Sequence, residues 1–175
     1  MNKGDISMES VEHIKTQVIE QYDKLANKFN ELYFKGKARG YESMEVALEK
    51  ANEHLTTIGE FSAEQGEELK KYLARDLDQT IESAHQLGEE AKVKLNPSRL
   101  SAGALASLVN VLELSTNALQ KLTAKTKEQM TYSTGEVASA GTFTCQSCDQ
   151  KLQLKATGHI PPCPKCHATH FTKGY

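Results

Sequence analysis

Cys145-Gln146-Ser147-Cys148 and Cys163-Pro164-Lys165-Cys166 contain all four cysteines of the chain, as two C-x-x-C pairs separated by 14 residues. The two-residue turn inside each pair brings both thiolates to one side. Two such turns supply the four sulfurs that tetrahedral Zn²⁺ prefers. The spacing therefore predicts a structural zinc ribbon, with one Zn²⁺ held by Cys145, Cys148, Cys163 and Cys166. A disulfide pair and a thioredoxin-like redox motif are the rivals, and the second lacks a surrounding strand-helix-strand pattern. Iron in a rubredoxin-like site is chemically possible with the same spacing. A catalytic zinc keeps one position open for water, whereas four cysteines close the shell. His159, His167 and His170 lie near enough in sequence to replace a cysteine. His167 and His170 are instead expected on the outer face of the second knuckle and the last strand.

The module around these cysteines is too small to fold on its apolar core alone. Phe143, Leu152, Leu154 and Phe171 are expected to form a small apolar wall, and metal binding to contribute about 10 kcal/mol or more of folding free energy. Pro164 fixes part of the second turn, and Lys165 places a cation beside the anionic sulfurs. Thiolate is the ligand, so coordination releases protons and weakens in acid.

Outward from the ribbon, composition bounds the rest. The 175 residues are 38% hydrophobic and only 6% aromatic, with no Trp. Few large rings predict long helices packed side by side rather than a thick globule. Residues 142–175 hold four lysines and one aspartate, a formal +3, and residues 1–141 hold 17 basic and 22 acidic residues, a formal -5. Zinc on four thiolates subtracts two charges, so the loaded ribbon is a weak electrostatic footprint for nucleic acid. Met1 to Asp5 leads into polar sequence without a signal-peptide apolar run. Cysteines paired for metal suit a reducing cytoplasm.

Four helices are predicted, over about 10–36, 42–58, 63–95 and 98–128. In the first, Val11, Ile14, Val18, Tyr22, Leu25, Phe29 and Leu32 make a near-heptad stripe. Met44, Leu48, Ala51, Leu55 and Ile58 repeat it in the second. Gly59 breaks that helix, and Ser62-Ala63-Glu64-Gln65 reads as a capping box opening the third. There Leu73, Leu77, Ile81, Ala84, Leu87 and Ala91 form the buried side, preceded by Leu69 and Tyr72. Arg75-Asp76-Leu77-Asp78 reads as a solvated face, with a partner-binding patch as the alternative. Glu67-Glu68 and Glu89-Glu90 read as solvated too. His13, His54 and His85 have no metal-spaced companions. Asn96-Pro97 stops the third helix. From Leu100 to Gln120 the only charged residue is Glu113. A helix that apolar belongs at the centre of a bundle, with a self-association seam or membrane contact as alternatives. Asn110, Glu113, Ser115 and Asn117 interrupt it, so no transmembrane segment is expected. Residues 131–141 read as a connector, and 142–175 as the ribbon. The fold class is mainly α: an elongated antiparallel helical bundle of coiled-coil-like hairpins with a small C-terminal β zinc ribbon.

Tyr132-x-x-Gly135-Glu136, Gly141, the two cysteine pairs with Pro162 and Pro164, and Phe171 resemble the C-terminal end of the YbeL-like family of bacterial zinc-ribbon proteins. That resemblance implies a helical N-terminal region, zinc on the four cysteines, a bacterial cytosol and no nameable enzyme activity. Three functions are weighed. The first is a non-enzymatic interaction protein, a helical bundle docking an unidentified protein partner with the ribbon as a metal-locked terminal knob. The second is binding to nucleic acid or the ribosome through Lys151, Lys155, Lys165 and Lys173 with Phe171 and Tyr175. The third is an enzyme, for which no Ser/His/Asp set, phosphate loop or open metal site is visible.

Overall fold

The computed structural model describes residues 8–38, 43–87 and 131–174. Three helices and six strands are described: α1 (Met8–Ala38), α2 (Met44–Thr57), α3 (Ala63–Leu87), β1 (Thr131–Ser133), β2 (Val137–Ala138), β3 (Gly141–Cys145), β4 (Lys151–Leu154), β5 (Gly158–His159) and β6 (His170–Gly174). The end of the expected third helix, the whole of the expected fourth with its Leu100–Gln120 stretch, and Tyr175 lie outside the described residues, as does the side chain of His85.

α1 and α2 form a hairpin, and α3 runs antiparallel to α2. Asn52 Nδ2 donates to Glu67 at 2.9 Å and Lys70 Nζ to Glu49 at 2.8 Å, a register only antiparallel helices give. Ser43 caps α2 by accepting from Val46 N at 3.2 Å. A Schellman motif ends it: Gly59 has φ 79°, its N–H bonds to Thr56 O, and Glu60 N–H bonds to Leu55 O. The capping box before α3 is formed as the sequence predicts. Gln65 N donates to Ser62 Oγ at 3.3 Å, and Ser62 N to Gln65 Oε1 at 3.0 Å. At Gly66 the start of α3 packs closely, since a Cβ there would lie 2.3 Å from Asn52 Oδ1 of α2 and 2.9 Å from the Phe61 ring in the connecting turn.

The three stripes meet in one core. Tyr22, Leu25, Phe29, Leu48, Ala51, Leu55, Leu69, Leu73 and Leu77 are buried there. Burying each of these larger apolar side chains stabilises by roughly 1.5–3 kcal/mol. Val11, Ile14 and Ile58 stay exposed, so the stripe of α1 outruns its partners at the N-terminal end.

Two antiparallel sheets make up the described residues after the helices. One has strand order β1-β6-β3-β4, the other pairs β2 with β5. β1 and β2 lie in the stretch expected to be a connector. Thr131–Ser133 pairs with Thr172–His170 and closes the edge of the sheet, and Val137–Ala138 pairs with His159–Gly158. A two-residue strand needs a partner already in place, and a short run of small residues carries no alternation long enough to signal one. Nor is the ribbon a knob at the end of a stalk. Val137 is fully buried in the helical core, and β2, β5 and β6 rest on α1 and α3. The helical N-terminal region followed by a C-terminal β module stands as expected; what is corrected is the separate knob, because the β module packs against the flank of the helices.

Candidate metal centre

Each cysteine pair sits in a tight turn of the same construction. Asp149 N–H donates to Cys145 O at 3.0 Å, and Asp149 takes φ 57°; His167 N–H donates to Cys163 O at 2.9 Å, and His167 takes φ 60°. The residue after each pair thus adopts the left-handed conformation that turns the chain back under its two sulfurs. Cys145 N–H to Gln150 O and Cys163 N–H to Ala168 O close both turns. β3 delivers the first pair. The second follows β5 through Ile160, whose N–H is held by Glu136 O at 3.0 Å.

These turns bring all four sulfurs within 4.8 Å of one another. Cys145 lies 3.6 Å from Cys166, and Cys148 lies 3.6 Å from Cys163. A tetrahedron with Zn–S bonds of about 2.3 Å has sulfur–sulfur edges of about 3.8 Å. The donor set therefore fits one structural Zn²⁺. Such an ion would be held by four thiolates and would supply cross-linking of β3 to the β5–β6 connection. Burial works against ionising Cys163, but backbone N–H groups of Cys166 and Lys165 and the neighbouring thiols of Cys148 and Cys166 bring it down to about 6. The Gln150 N–H pulls Cys148 the same way, yet the sulfur of Cys166, burial, and the sulfurs of Cys163 and Cys145 push it up to about 12. Four adjacent sulfurs ionise together only against a shared cation.

Phe143 and Phe171 are fully buried beneath the sulfurs, with Leu152 and Leu154 packed partly against them. Tyr132, Ala138 and Ile160 complete the wall, and Tyr132 meets Phe143 edge-on at 5.2 Å. None of His159, His167 and His170 is part of the sulfur cluster. His167 and His170 are exposed. His159 bridges to α1, its Nδ1 2.7 Å from Gly135 O and its Nε2 3.1 Å from Lys15 O. His13 and His54 are exposed as expected.

The larger surprise lies on α3. Asp76 is not solvated; it is 0% exposed. Its Oδ1 accepts from Tyr132 Oη at 2.6 Å and faces Lys173 Nζ at 3.4 Å. Its Oδ2 accepts from Tyr22 Oη at 2.7 Å and from Ser139 N at 2.7 Å. Lys173 Nζ also donates to Ser139 Oγ. One carboxylate on α3 thus gathers α1, β1, β6 and the β2–β3 turn. Burial alone would raise its pKa, but the Lys173 charge and the hydrogen bonds from Tyr132, Ser139 and Tyr22 outweigh that and hold it below the usual carboxylate range. Burial pulls Lys173 down against the opposing pull of Asp76. Gly141 makes room for the lysine stem, since a Cβ there would lie 2.6 Å from Lys173 Cε.

Arg75 fastens the same seam from the side. Its Nη1 donates to Thr131 O at 3.0 Å and to Glu136 Oε2 at 2.6 Å, and its guanidinium lies 3.8 Å over the Tyr132 ring. Glu136 Oε2 also accepts from Ser133 N at 3.0 Å, and Gly135 between them turns with φ 92°. So Tyr132 and Glu136, quoted above in a motif, grip Asp76 and Arg75, and Gly135 shapes the turn that carries Glu136. The solvated-face expectation for Arg75-Asp76 is corrected accordingly. Asp78 is only half-buried, which fits that expectation better. The basic aromatic face is also reduced, because Lys173 and Phe171 are buried while Lys151, Lys155 and Lys165 stay exposed. Two periodicities carried the missed signal. Leu69, Leu73, Asp76 and Thr80 repeat 4, 3, 4 and put the acid on the buried side of α3, and strand alternation puts Lys173 on the same face as Phe171.

No helix among the described residues is long and apolar enough to cross a membrane. No curated protein and no solved structure matches the chain. A family model does, and it reaches well beyond the cysteine turns to include α2, α3 and the tail of α1. The chain belongs to the zinc-ribbon containing domain family, whose model matches residues 33–174.

Proposed function

We propose that the chain is a non-enzymatic interaction protein of the cytoplasm, in which a structural zinc ion locks a ribbon onto a helical layer so that the two present one composite face. The observation that carries this reading is Asp76: a carboxylate without exposure, whose partners come from both halves. A ribbon acting as an independent nucleic-acid reader would need no such attachment. Four thiolates would fill every position of a tetrahedral ion, which supports a structural rather than a catalytic metal. The YbeL-like likeness and a bacterial source belong to the same reading, as does an as yet unidentified protein partner.

The test is affinity capture from bacterial lysate with the tagged full chain, in three arms: zinc-replete, chelator-treated and Asp76→Asn. The reading expects a defined partner in the first arm and its loss in the other two. Capture of nucleic acid with steep salt dependence would favour the rival instead. A chain that captures nothing and stays monomeric at high concentration would sink the interaction role.

A further inference from the structure

The apolar stripe of α1 is buried from Tyr22 onward, but its N-terminal turns are not. Val11 and Ile14 are 40% and 54% exposed, and half-buried Val18 continues their line toward the core in steps of 3 and 4. The other exposed large apolar side chains among the described residues, Val46 and Ile58, sit near opposite ends of α2 and form no stripe. The start of α1 therefore presents a narrow apolar face that no described element covers. A matching surplus lies in the chain between Leu87 and Thr131. Those 43 residues include Leu100 to Gln120, where Glu113 is the only charge. Leu105, Leu108 and Leu112 step by 3 and 4, as Val11, Ile14 and Val18 do.

Both ends of that span are fixed within reach of the stripe. Thr131 O accepts from Arg75, and four residues later Gly135 O meets His159 Nδ1, whose Nε2 meets Lys15 O beside Ile14. Those four residues cover at most about 14 Å, and the 11 from Gln120 to Thr131 span up to about 36 Å. At the other end, Leu87 lies 11 residues past Asp76, about 17 Å of helix, and Asp76 is bonded to Tyr22, about two turns from Ile14. The 13 residues from Leu87 to Leu100 span up to about 43 Å. We propose that the Leu100–Gln120 segment of the same chain covers the Val11–Ile14–Val18 stripe, with Leu105, Leu108 and Leu112 set against it. A second copy is the rival occupant. Three side chains over about two turns fall far short of the roughly 1,200–2,000 Å² that a stable association buries. A tethered segment acts at an effective concentration of about millimolar, which favours it over a free partner. The covering needs no other protein, so it stands or falls apart from the interaction role.

The test places the photo-crosslinking residue p-benzoylphenylalanine at position 14 of the zinc-loaded full chain, with the same residue at the exposed position 46 as control. Irradiation followed by peptide mapping should join position 14 to peptides within 100–122 of the same chain, independently of protein concentration, and position 46 should not join them. A companion measurement is hydrogen exchange on Val11→Glu/Ile14→Glu, whose side chains are exposed in the described fold and so leave α2, α3 and zinc content unchanged. Amides of 105–120 should then exchange about tenfold faster or more, because their apolar cover is lost. Crosslinks that yield a doubled mass and grow with concentration assign the stripe to a second copy and overturn the proposal. So do crosslinks that map elsewhere in the chain, an absence of crosslinks, or exchange of 105–120 that the two glutamates leave unaltered.

Discussion

Asp76→Asn is the most discriminating substitution in this molecule. It keeps the size and shape of the side chain and removes only charge and one acceptor. Each carboxylate oxygen now serves two donors: Tyr132 and Lys173 on Oδ1, Tyr22 and Ser139 N on Oδ2. The amide of an asparagine must point its NH₂ at one of those pairs. Tyrosine hydroxyls can rotate to accept, but the Lys173 ammonium and the Ser139 N–H have only hydrogens to offer. Neither orientation satisfies the site, and Lys173 loses its carboxylate in either. Removing one partner of a buried ion pair costs about 3–5 kcal/mol. Urea unfolding followed by circular dichroism with zinc in excess should register that loss. Because the ribbon folds on metal, and its docking depends on Asp76, the same substitution should weaken zinc binding ten- to a hundredfold by reciprocity, although Asp76 is no ligand. Competition with a chromophoric chelator measures it. A loss of stability under about 1 kcal/mol, or unaltered zinc affinity, would refute the claim that the carboxylate couples the two layers.

Other outcomes follow from the same seam. Cys166→Ser, at the exposed corner of the sulfur cluster, should abolish tight zinc binding and also lower the thermal midpoint of the helical circular dichroism signal, because Val137 and Lys173 leave the helices with the ribbon. An unchanged midpoint would mean that the layers fold independently. Gly66→Ala should destabilise by about 1–3 kcal/mol despite the better helix propensity of alanine, since the new methyl group meets Asn52 and Phe61; a stabilised variant in urea would show the helices have room. For pH, the folded pKa of Asp76 is depressed, so its contribution is complete above the unfolded value of about 3.9 and is lost as pH falls through the lower folded value. The stability gap between wild type and Asp76→Asn should hold steady from pH 7 to about 5 and close only below about 4, as read from urea titrations at each pH. A gap that closes near neutrality would assign the effect to another group.

Much of the architecture was legible because its signals are local. The capping box at Ser62, the glycine stop at Gly59 and the stripes through Leu25, Leu55 and Leu73 need only neighbours a few residues away. The sulfur cluster was legible for a different reason: two identical spacings leave little choice of geometry for a tetrahedral ion. What escaped was long-range. Tyr132 and Asp76 belong to separate layers, and nothing in either neighbourhood names the other. Arg75-Asp76 looked like ordinary surface because burial of a charge is uncommon without a partner, and its partners lie on β1, β6 and the turn at Ser139. The periodicity did place Asp76 among Leu69, Leu73 and Thr80, and a charged residue on an apolar stripe is itself the clue.

Why an acid should stand there at all has a physical answer that can be tried. A leucine at position 76 would stabilise the helices whether or not the ribbon was in place. An aspartate does so only when the ribbon brings Tyr132, the Ser139 N–H and Lys173, so the helical layer recognises one docked arrangement by its donors. Replacing a buried ion pair by apolar residues is often neutral or stabilising by about 1–4 kcal/mol. Combined Asp76→Leu, Lys173→Met, Tyr22→Phe and Tyr132→Phe should therefore recover most of the stability lost in Asp76→Asn. The Ser139 N–H would still lack a partner, at about 1–3 kcal/mol. Directional contacts would be gone, and the ribbon could settle on the helices in more than one way. Hydrogen exchange separates these outcomes: amides within α1–α3 should stay protected while Val137 and Ala138, whose strand rests on the helices, exchange faster by at least tenfold. Equal protection at the junction would mean that apolar contact through Val137 alone sets the docking, and that the buried carboxylate confers no specificity.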